Sequence, residues 1–302
     1  MDSVKINCPV CGNNNAKNLC INGFPISKGQ EDVEIFPVMC DCSMVYLSPR
    51  WSKLQYQEYY SKEYDESYRL ELKPDVGIKG VEKNAEEILL RLRRKLLFDS
   101  SMNILDVGSG YGITLKHYKS RMPKAKIYGI ESSIEGGRIL KEEIGGVLVT
   151  DNFDNEQWAN DYKSYFDLVI MRHVFEHLLN PNEALVKLKS VLKQDGFIYL
   201  AVPDMLHPRI KLRDYNNWID YWFRIVHPYY YNKFTLAKII IEKGFDIIDY
   251  SEENCELWMI IGFSSENNKN DDFKINMSKV SEIQTDVFDR YLNNFSLLKS
   301  TL

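Results

Sequence analysis

Between residues 103 and 263, the apolar positions of the chain alternate between two spacings. Short apolar runs, each long enough for one buried strand, are separated by segments in which apolar residues recur every three or four positions, as on one helix face. The predicted strands are Asn103–Val107, Lys126–Ile130, Gly146–Val149, Phe166–Met171, Phe197–Val202, Phe245–Tyr250 and Leu257–Phe263. The predicted helices are Ile113–Ser120, Ile134–Ile144, Asn182–Leu192 and Lys233–Lys243. This alternation predicts an α/β fold with a largely parallel sheet and helices on both faces.

The chain outside this core has other patterns. Residues 51–75 are rich in Tyr, Glu, Lys and Ser and predict a helical linker, which could serve as a plain connection or as a cover over a substrate. Glu82–Leu97 predicts an amphipathic helix, because its leucine and isoleucine positions fall on one stripe. Residues 264–276 are polar and predict a loose segment, and Ser278–Leu298 predicts a terminal helix.

These patterns predict four parts. Residues 1–50 form a cysteine-rich module, residues 51–100 a helical linker, residues 101–265 the main domain, and residues 266–302 a loose segment with the terminal helix. Within the main domain, an insertion at 204–232 is dense in aromatic and basic residues. Such a composition suits a lid that stacks on a sugar ring and holds an anionic group such as phosphate, with packing on the core or a dimer contact as the alternatives.

Composition and charge exclude several classes of protein. Hydrophobic residues make up 44% of the 302 positions, which is enough apolar material for a core and excludes a disordered chain. The net charge of −5 and the absence of a Lys/Arg block count against a nucleic-acid partner. No apolar run approaches the roughly 20 residues that span a bilayer, and no signal peptide is recognisable, so we expect a cytoplasmic protein without a membrane span. The oligomeric state is left open.

The cysteines are concentrated near the N-terminus. Cys8 and Cys11 form a C-x2-C pair, which is a common half of a zinc site, and Cys40 and Cys42 form a less common C-x-C half. In the reducing cytoplasm such clusters are typical of metal ligands rather than of disulfides. We therefore predict a structural zinc ion on these four thiolates. Replacement of Cys40 or Cys42 by Cys20, and a role as buried small side chains, are the alternatives.

A glycine-rich loop follows the first predicted strand of the main domain. Gly108, Gly110 and Gly112 leave the backbone accessible to a ligand, and Glu131 ends the next strand, where a carboxylate can accept the hydroxyls of a ribose. This pattern alone is shared with dehydrogenases. Asp106, directly before the loop, would repel a pyrophosphate and suits a ligand that carries an ammonium group and no phosphate.

The stretch Leu105–Gly112 resembles motif I of the class I S-adenosylmethionine-dependent methyltransferases, and the resemblance covers about residues 100–263. It implies a Rossmann-like seven-stranded methyltransferase sheet, flanked here by the small zinc-binding module and the C-terminal helix, with S-adenosylmethionine as cofactor. It implies that the three loop glycines cradle the methionine part, that Asp106 orients the loop or the ammonium group, and that Glu131 binds the ribose. Asp151 and Asn152 match the position where family members contact the adenine.

One subgroup of these enzymes begins with a zinc-binding cysteine segment and includes deoxysugar C-methyltransferases and enzymes acting on surface glycans and small molecules. The sequences CPVCG and CSMVYLSPR resemble that segment, although the second pair is C-x-C and Ser43 stands where glycine is usual. A large C-terminal domain found in the deoxysugar enzymes is missing, which counts against C-methylation. The resemblance implies a small polar acceptor, such as a sugar or a nucleotide-linked or phosphate-bearing intermediate.

Methyl transfer to a hydroxyl requires a group that removes its proton, and a near-neutral histidine is the natural base. His173 and Glu176 follow the fourth predicted strand, at the edge where α/β sheets bind ligands, and His227 lies near the C-terminal end of the predicted lid. These three are the predicted catalytic residues. His227 is a candidate base, His177 is a weaker one, and which histidine is the base is left open. His173-x-x-Glu176-His177 is also similar to a zinc-peptidase motif, an interpretation set aside because the sequence supplies no third ligand.

Three functions remain compatible with the sequence. The first is methyl transfer to a small polar acceptor, which we expect. The second is an RNA or protein methyltransferase that uses the cysteine module for recognition, although residues 1–50 are close to neutral in charge. The third is a non-catalytic cofactor-binding protein that has kept the fold. A dehydrogenase is a distant alternative, which binding of a nicotinamide cofactor would reveal.

Overall fold

The computed structural model describes residues 3–19, 35, 37–62, 74–94, 101–205, 224–253, 255–263, 269–273, 280 and 282. Cys20, residues 206–223 of the predicted lid and nearly all of the predicted terminal helix lie outside the described residues.

The N-terminal part contains three short strands and two helices before the main domain begins. In chain order these are β1 (Ala16–Asn18), β2 (Pro37–Cys40), β3 (Val45–Leu47), α1 (Lys53–Lys62) and α2 (Pro74–Arg93). The predicted amphipathic helix corresponds to α2, which begins eight residues earlier than expected. Its apolar stripe is confirmed, because Ile88, Leu89 and Leu92 are buried.

The main domain alternates strands and helices as the sequence predicts. Its elements are β4 (Asn103–Val107), α3 (Ile113–Arg121), β5 (Lys126–Ile130), α4 (Ile134–Glu142), β6 (Val147–Thr150), α5 (Gln157–Asp161), β7 (Phe166–Arg172), α6 (Pro181–Val191), β8 (Leu192–Pro203), β9 (Tyr229–Tyr230), α7 (Lys233–Glu242), β10 (Asp246–Glu253) and β11 (Glu256–Gly262). Short 3₁₀ turns cover Phe175–His177 and Asn270–Phe273. All seven predicted strands of the central sheet are present, with ends that differ by a few residues.

The central sheet has the strand order β10-β11-β8-β7-β4-β5-β6. Strands β4 to β8 run parallel to one another, whereas β11 is antiparallel to both β8 and β10. The seven-stranded Rossmann-like fold expected from the sequence is therefore confirmed. The chain leaves β4 to form β5 on one side and later returns to place β7 on the other. The order thus reverses beside β4, and such a reversal opens a crevice at the carboxyl ends of the strands.

Each face of the sheet carries its own core. Along β4, Ile104 packs with the buried residues of α2 and α3, while Leu105 and Val107 belong to the core on the opposite face, beneath α6 and α7. This alternation is the two-residue period of a strand that is buried on both sides. The helices therefore hold β4, and the glycine loop that follows it, from both faces.

A second, four-stranded sheet joins the cysteine module to the main domain. Its order is β1-β2-β3-β9, and β9 comes from the C-terminal end of the predicted lid. The backbone N–H of Leu47 also donates to the carbonyl of Pro228 at 2.9 Å. The side-chain amide of Asn232 reaches the Ser43 hydroxyl at 3.2 Å in a fully buried contact. Residues 1–50 are therefore anchored directly to the segment that contains His227.

Among the helices that the structure describes, none is long and apolar enough to cross a membrane.

Candidate active site

A cavity of about 490 Å³ opens at the carboxyl ends of β4, β5 and β7. One wall is made by the ends of these strands and by the loops that follow them. The other wall is α1, which contributes Lys53, Tyr56, Gln57 and Tyr60 to the lining. Of the two roles left open for the predicted linker, the structure therefore favours a cover over the cavity. The remaining lining residues are Val107, Gly108, Ile130, Glu131, Ser132, Asp151, Asn152, Phe153, Asp154, His173, Val174, His177, Leu178 and Leu179.

The glycine loop brings the backbone directly against the cavity. Gly108 adopts a φ of 74°, a left-handed conformation that favours glycine, and its N–H donates to the carbonyl of Ile130 at 2.8 Å. A Cβ at this position would lie only 2.4 Å from Cγ2 of Val174, so the space is available only to glycine. Gly108 lines the cavity, whereas Gly110 and Gly112, also predicted as cofactor ligands, are not among its lining residues.

Asp106 lies beneath the loop, outside the lining of the cavity, and is 6% exposed. Burial, and secondarily the nearby carboxylate of Glu131, raise its pKa to about 8. The guanidinium group of Arg172 acts in the opposite direction, but more weakly. A buried carboxyl with such a pKa becomes readily ionised when a cationic ligand group approaches.

Glu131 joins the loop to the helix that follows it. Its Oε2 accepts a hydrogen bond from the Gly110 N–H at 2.6 Å, and its Oε1 accepts one from the Ser133 N–H at 2.8 Å. The residue also lines the cavity. Each carboxylate oxygen can accept more than one hydrogen bond, so Glu131 retains acceptor capacity for ligand hydroxyls.

Asp151 and Asn152 lie just beyond the end of β6 and also line the cavity. The Asn152 N–H donates to the Thr150 hydroxyl at 3.1 Å, which shapes the turn, and both residues are exposed. Phe153 follows them in the cavity wall and packs against Trp158 with ring centroids 5.5 Å apart. This end of the cavity therefore combines polar groups with an aromatic ring.

His173 is held in a network of charges at the opposite end. Its positive φ of 54° ends the extended backbone of β7, directly after Arg172. Its Nε2 lies 2.9 Å from Oε2 of Glu256, and its Nδ1 lies 3.5 Å from Oε1 of Glu176. Burial acts against the protonated ring, but the two carboxylates outweigh it and raise the pKa of His173 to about 9. At neutral pH, His173 is therefore a cation and a poor proton acceptor.

Glu176 and His177 lie in the 3₁₀ turn after β7. Burial would raise the pKa of Glu176, but the nearby imidazoles of His173, His177 and His227 lower it, so its side chain is an anion. Burial lowers the pKa of His177, which keeps that ring neutral. The Nδ1 of His177 lies 2.8 Å from the Val226 carbonyl. Because a carbonyl only accepts, Nδ1 carries the proton and Nε2 carries the lone pair.

His227 lies against His177, with ring centroids 4.6 Å apart and an angle of 74° between the rings. It does not line the cavity itself. The structure thus brings His227 close to His173 and Glu176, although His227 lies more than 50 positions after both in the sequence. It adds His177 as the histidine whose lone pair is best defined.

The four predicted zinc ligands also come together. The Sγ atoms of Cys8 and Cys42 are 3.5 Å apart, and those of Cys11 and Cys40 are 3.4 Å apart. All four sulfur atoms lie within 4.8 Å of one another.

Several residues of the site were not predicted from the sequence. Arg172 and Glu256 form a 2.7 Å ion pair behind His173. Glu256 belongs to no recognisable motif, whereas Arg172 lies in the stretch after the fourth predicted strand that also contains His173 and Glu176, but the sequence indicated no role for it. Tyr56 and Tyr60 could have been found, because their four-residue spacing puts both rings on the same face of a predicted helix.

Residues 81–250, more than half of the chain, match the family model described as a methyltransferase domain. A protein of Schizosaccharomyces pombe that is named an uncharacterized methyltransferase is 29% identical over 126 residues. This match covers 38% of the chain and 44% of the relative, so the chain spans less than half the length of that relative.

Two solved structures share the fold at low sequence identity. Magnesium protoporphyrin IX methyltransferase from Synechocystis PCC 6803, with bound SAH, is similar at a TM-score of 0.52 and 15% identity, over 70% of this chain and 100% of that chain. The 1,6-didemethyltoxoflavin-N1-methyltransferase of Burkholderia thailandensis, with bound 1,6-didemethyltoxoflavin and S-adenosylhomocysteine, is similar at a TM-score of 0.52 and 13% identity. The match covers 78% of this chain and 98% of that chain. At such identities the likeness establishes the fold alone.

Proposed function

The chain belongs to the family of methyltransferase domains, and from that membership we propose that it transfers a methyl group from S-adenosylmethionine to a small polar acceptor. The observation that carries the proposal is the position of Glu131. This carboxylate lines the cavity and also accepts the N–H of Gly110 in the glycine loop. The cavity therefore has a backbone cradle and an acceptor for hydroxyl groups side by side, as a nucleoside with a charged tail requires.

The residues present fit S-adenosylmethionine. Gly108 leaves a space that any Cβ would fill, and we assign the loop Gly108, Gly110 and Gly112 to the methionine part of the cofactor. The buried carboxyl of Asp106 is suited to stabilise its ammonium group through the loop. Glu131 would accept the ribose hydroxyls, and Asp151 and Asn152 would contact the adenine. When bound, the cofactor supplies an electrophilic methyl group on a sulfonium centre.

We assign the acceptor to the end of the cavity formed by His173 and His177. The imidazolium of His173 supplies a positive charge that favours an anionic or phosphate-bearing acceptor. A sugar or a nucleotide-linked intermediate has the hydroxyl groups and the charge for this surface. During the transfer, the acceptor hydroxyl loses its proton to the cluster of Glu176, His177 and His227. Within it, the Nε2 lone pair of His177 is better placed than His227 to accept a proton, because His177 lines the cavity.

We also propose a structural zinc ion on Cys8, Cys11, Cys40 and Cys42. A tetrahedral site with zinc–sulfur bonds of about 2.3 Å has sulfur atoms roughly 3.8 Å apart. The observed separations, 3.5 Å between Cys8 and Cys42 and 3.4 Å between Cys11 and Cys40, are close to this spacing. The ion would tie the N-terminal loop that carries Cys8 and Cys11 to the turn between β2 and β3, and β3 in turn pairs with β9.

Calorimetric titration with S-adenosylhomocysteine tests the cofactor assignment without knowledge of the acceptor. We expect saturable binding at one site per chain and no binding of a nicotinamide dinucleotide. Absence of S-adenosylhomocysteine binding to the folded, zinc-replete protein would refute the proposal. Sugars, sugar phosphates and nucleotide sugars are then screened as acceptors by release of S-adenosylhomocysteine from S-adenosylmethionine, with RNA and protein as competing acceptor classes.

A further inference from the structure

A second group of metal-ligating side chains lies at the acceptor end of the cavity. One carboxylate oxygen of Glu176 and one ring nitrogen each of His177 and His227 lie within 4.8 Å of one another. We propose that these three residues bind a divalent transition-metal cation, separate from the zinc ion of the four cysteines. The sequence offered only His173-x-x-Glu176-His177 and no third ligand. The fold supplies the third ligand as His227, fifty positions after His177.

Glu176 is the strongest sign of a missing cation. Its side chain is 2% exposed, yet neither carboxylate oxygen has a hydrogen-bond partner within the part of the chain that the structure describes. The nearest charge is Nδ1 of His173 at 3.5 Å, which is longer than the 2.7–2.9 Å of a charge-assisted hydrogen bond. A buried carboxylate without hydrogen bonds is costly, and a metal ion is one of the few partners that compensates for this cost.

His177 is prepared as a ligand by its own hydrogen bond. Because Nδ1 donates to the Val226 carbonyl, the Nε2 lone pair points to the side of Glu176, whose Oε1 lies 3.9 Å away. Histidines that bind metals commonly donate their second ring N–H to a carbonyl or carboxylate, which fixes the tautomer and the orientation of the ring. The Tyr60 hydroxyl, 3.0 Å from the same Nδ1, connects this ring to the cover helix α1.

His227 is held by the backbone of the small sheet. Its N–H donates to the Arg224 carbonyl at 2.9 Å, and the next residue, Pro228, accepts the N–H of Leu47 in β3 at 2.9 Å. The ring of His227 contacts that of His177 edge to face. The backbones of the two histidines thus lie on separate elements, yet one ring nitrogen of each lies within 4.8 Å of the other and of a Glu176 oxygen.

The ligand set indicates the class of metal. Two imidazoles and one carboxylate suit Zn²⁺, Fe²⁺, Co²⁺ or Mn²⁺, whereas Mg²⁺ and Ca²⁺ prefer sites made of oxygen atoms. Three protein ligands leave at least one coordination position open. Of the three, His177 lines the cavity. The geometry is that of a site that binds a further ligand, in contrast to the closed set of four cysteines.

The chemical role of the ion rests on the proposed methyl transfer, although its binding does not. An acceptor hydroxyl bound to the open position has a lower pKa and loses its proton to solvent. The acceptor oxygen then forms a bond to the methyl carbon, while the carbon–sulfur bond breaks and its electron pair stays on sulfur, which yields S-adenosylhomocysteine. With the ion bound, the lone pair of His177 is a ligand and no longer a base.

Metal content of the full chain, purified without a polyhistidine tag and reconstituted with excess Zn²⁺ before desalting, tests the proposal. We expect close to two zinc ions per chain in the unaltered protein and close to one in Glu176→Gln and in His177→Ala. The matched control His117→Ala, whose ring pairs with Glu86 on the outer helices, keeps two. We expect Cys11→Ser also to contain close to one zinc ion, because it loses the ion of the cysteine site and keeps the ion at Glu176. One ion in the unaltered protein, lost in Cys11→Ser and retained in His177→Ala, would overturn the proposal.

A second measurement needs no variant. Co²⁺ is titrated into protein whose cysteine site is already filled with zinc. Visible absorption bands that saturate at one equivalent, without sulfur-to-metal charge-transfer bands, support a nitrogen and oxygen site; no saturable bands would contradict it. Titration with S-adenosylhomocysteine on the same samples separates the two proposals, because failure to bind the cofactor analogue refutes methyl transfer and leaves the metal site standing.

Discussion

Oε2 of Glu131 lies 2.6 Å from the backbone nitrogen of Gly110 and accepts its hydrogen bond. The other oxygen of the same carboxylate accepts the N–H of Ser133 at 2.8 Å, at the start of α4. One buried side chain thus fixes the glycine loop against the helix while facing the cavity. A change at Glu131 should therefore affect both the shape of the loop and the contacts to a ligand.

Replacement of Glu131 by Ala removes two charge-assisted hydrogen bonds and leaves the buried N–H of Ser133 and the partly buried N–H of Gly110 without this acceptor. We expect S-adenosylhomocysteine to bind about 10–100-fold more weakly and the free energy of unfolding to fall by about 2–4 kcal/mol. Calorimetry and urea unfolding measure the two effects. Glu135→Ala is the matched control, because Glu135 lies on the exposed face of α4 and pairs with Arg138. Equal affinities in the two variants would contradict the role of Glu131.

The buried carboxyl of Asp106 predicts an unusual dependence of stability on pH. In the folded chain its pKa is about 8, against an ordinary value of 3.8. The unfolded chain therefore loses this proton first, and the free energy of unfolding falls as the pH rises from about 4 to about 8. Asp106→Asn removes this contribution. Between pH 5 and pH 8, we expect the stability of Asp106→Asn relative to the unaltered protein to rise by about 2–4 kcal/mol.

Urea unfolding of both proteins across this pH range measures the difference directly, because the other titrating groups are common to the two. Parallel curves would show that Asp106 does not titrate as proposed. The same carboxyl predicts that S-adenosylhomocysteine binds more tightly as the pH rises from about 6 to about 8 in the unaltered protein, since the ammonium group of the ligand favours ionised Asp106. Asp106→Asn should bind weakly at every pH, with a flatter profile.

The elements that could be predicted are those whose signal is local. The strand Asn103–Val107 has the bounds expected from its apolar run, and Cys8 and Cys11 meet because a two-residue spacing puts both thiols within reach of one ion. Glu131 was found because an acid at the end of a second strand is part of a local pattern.

The parts that could not be predicted depend on contacts between distant segments. Strand β9 has only two residues, too few for a periodic signal, and its pairing with Val45 and Tyr46 spans most of the chain. Glu256 begins an apolar strand and has no motif, yet it holds both Arg172 and His173. Which histidine has a free lone pair likewise depends on the hydrogen bond from His177 to the Val226 carbonyl. Every residue has a backbone carbonyl, so the sequence cannot indicate this contact.

The cysteine module predicts a separate effect of metal removal. We expect Cys11→Ser to lose one zinc ion and to lower the midpoint of thermal unfolding by several degrees, because a bound ion contributes directly to folding. A strong chelator should lower the midpoint of the unaltered protein and change Cys11→Ser less. Metal analysis and calorimetry measure both results. Cys20→Ser is the control and should keep its zinc; loss of zinc in this variant would instead favour Cys20 as a ligand.

Tyr56 predicts a link between the cover helix and the acceptor end of the cavity. Its hydroxyl donates to the Ile225 carbonyl at 2.9 Å, two residues before His227, and the side chain is 2% exposed. Tyr56→Phe keeps the ring and leaves this carbonyl without its donor. We expect the free energy of unfolding to fall by about 1–2 kcal/mol and S-adenosylhomocysteine to bind a few-fold more weakly, because α1 covers the cavity.

Hydrogen–deuterium exchange distinguishes a local effect at α1 from a general loss of stability. In Tyr56→Phe, amides of α1 should exchange faster, while those of β4 and β5 change only as far as the global stability does. Tyr59→Phe is the control on the same helix, since its ring packs against Trp51 and Tyr60 and the change removes only a hydroxyl. If both variants exchange alike at α1, the hydrogen bond to Ile225 does not hold the cover, and ring packing alone keeps α1 over the cavity.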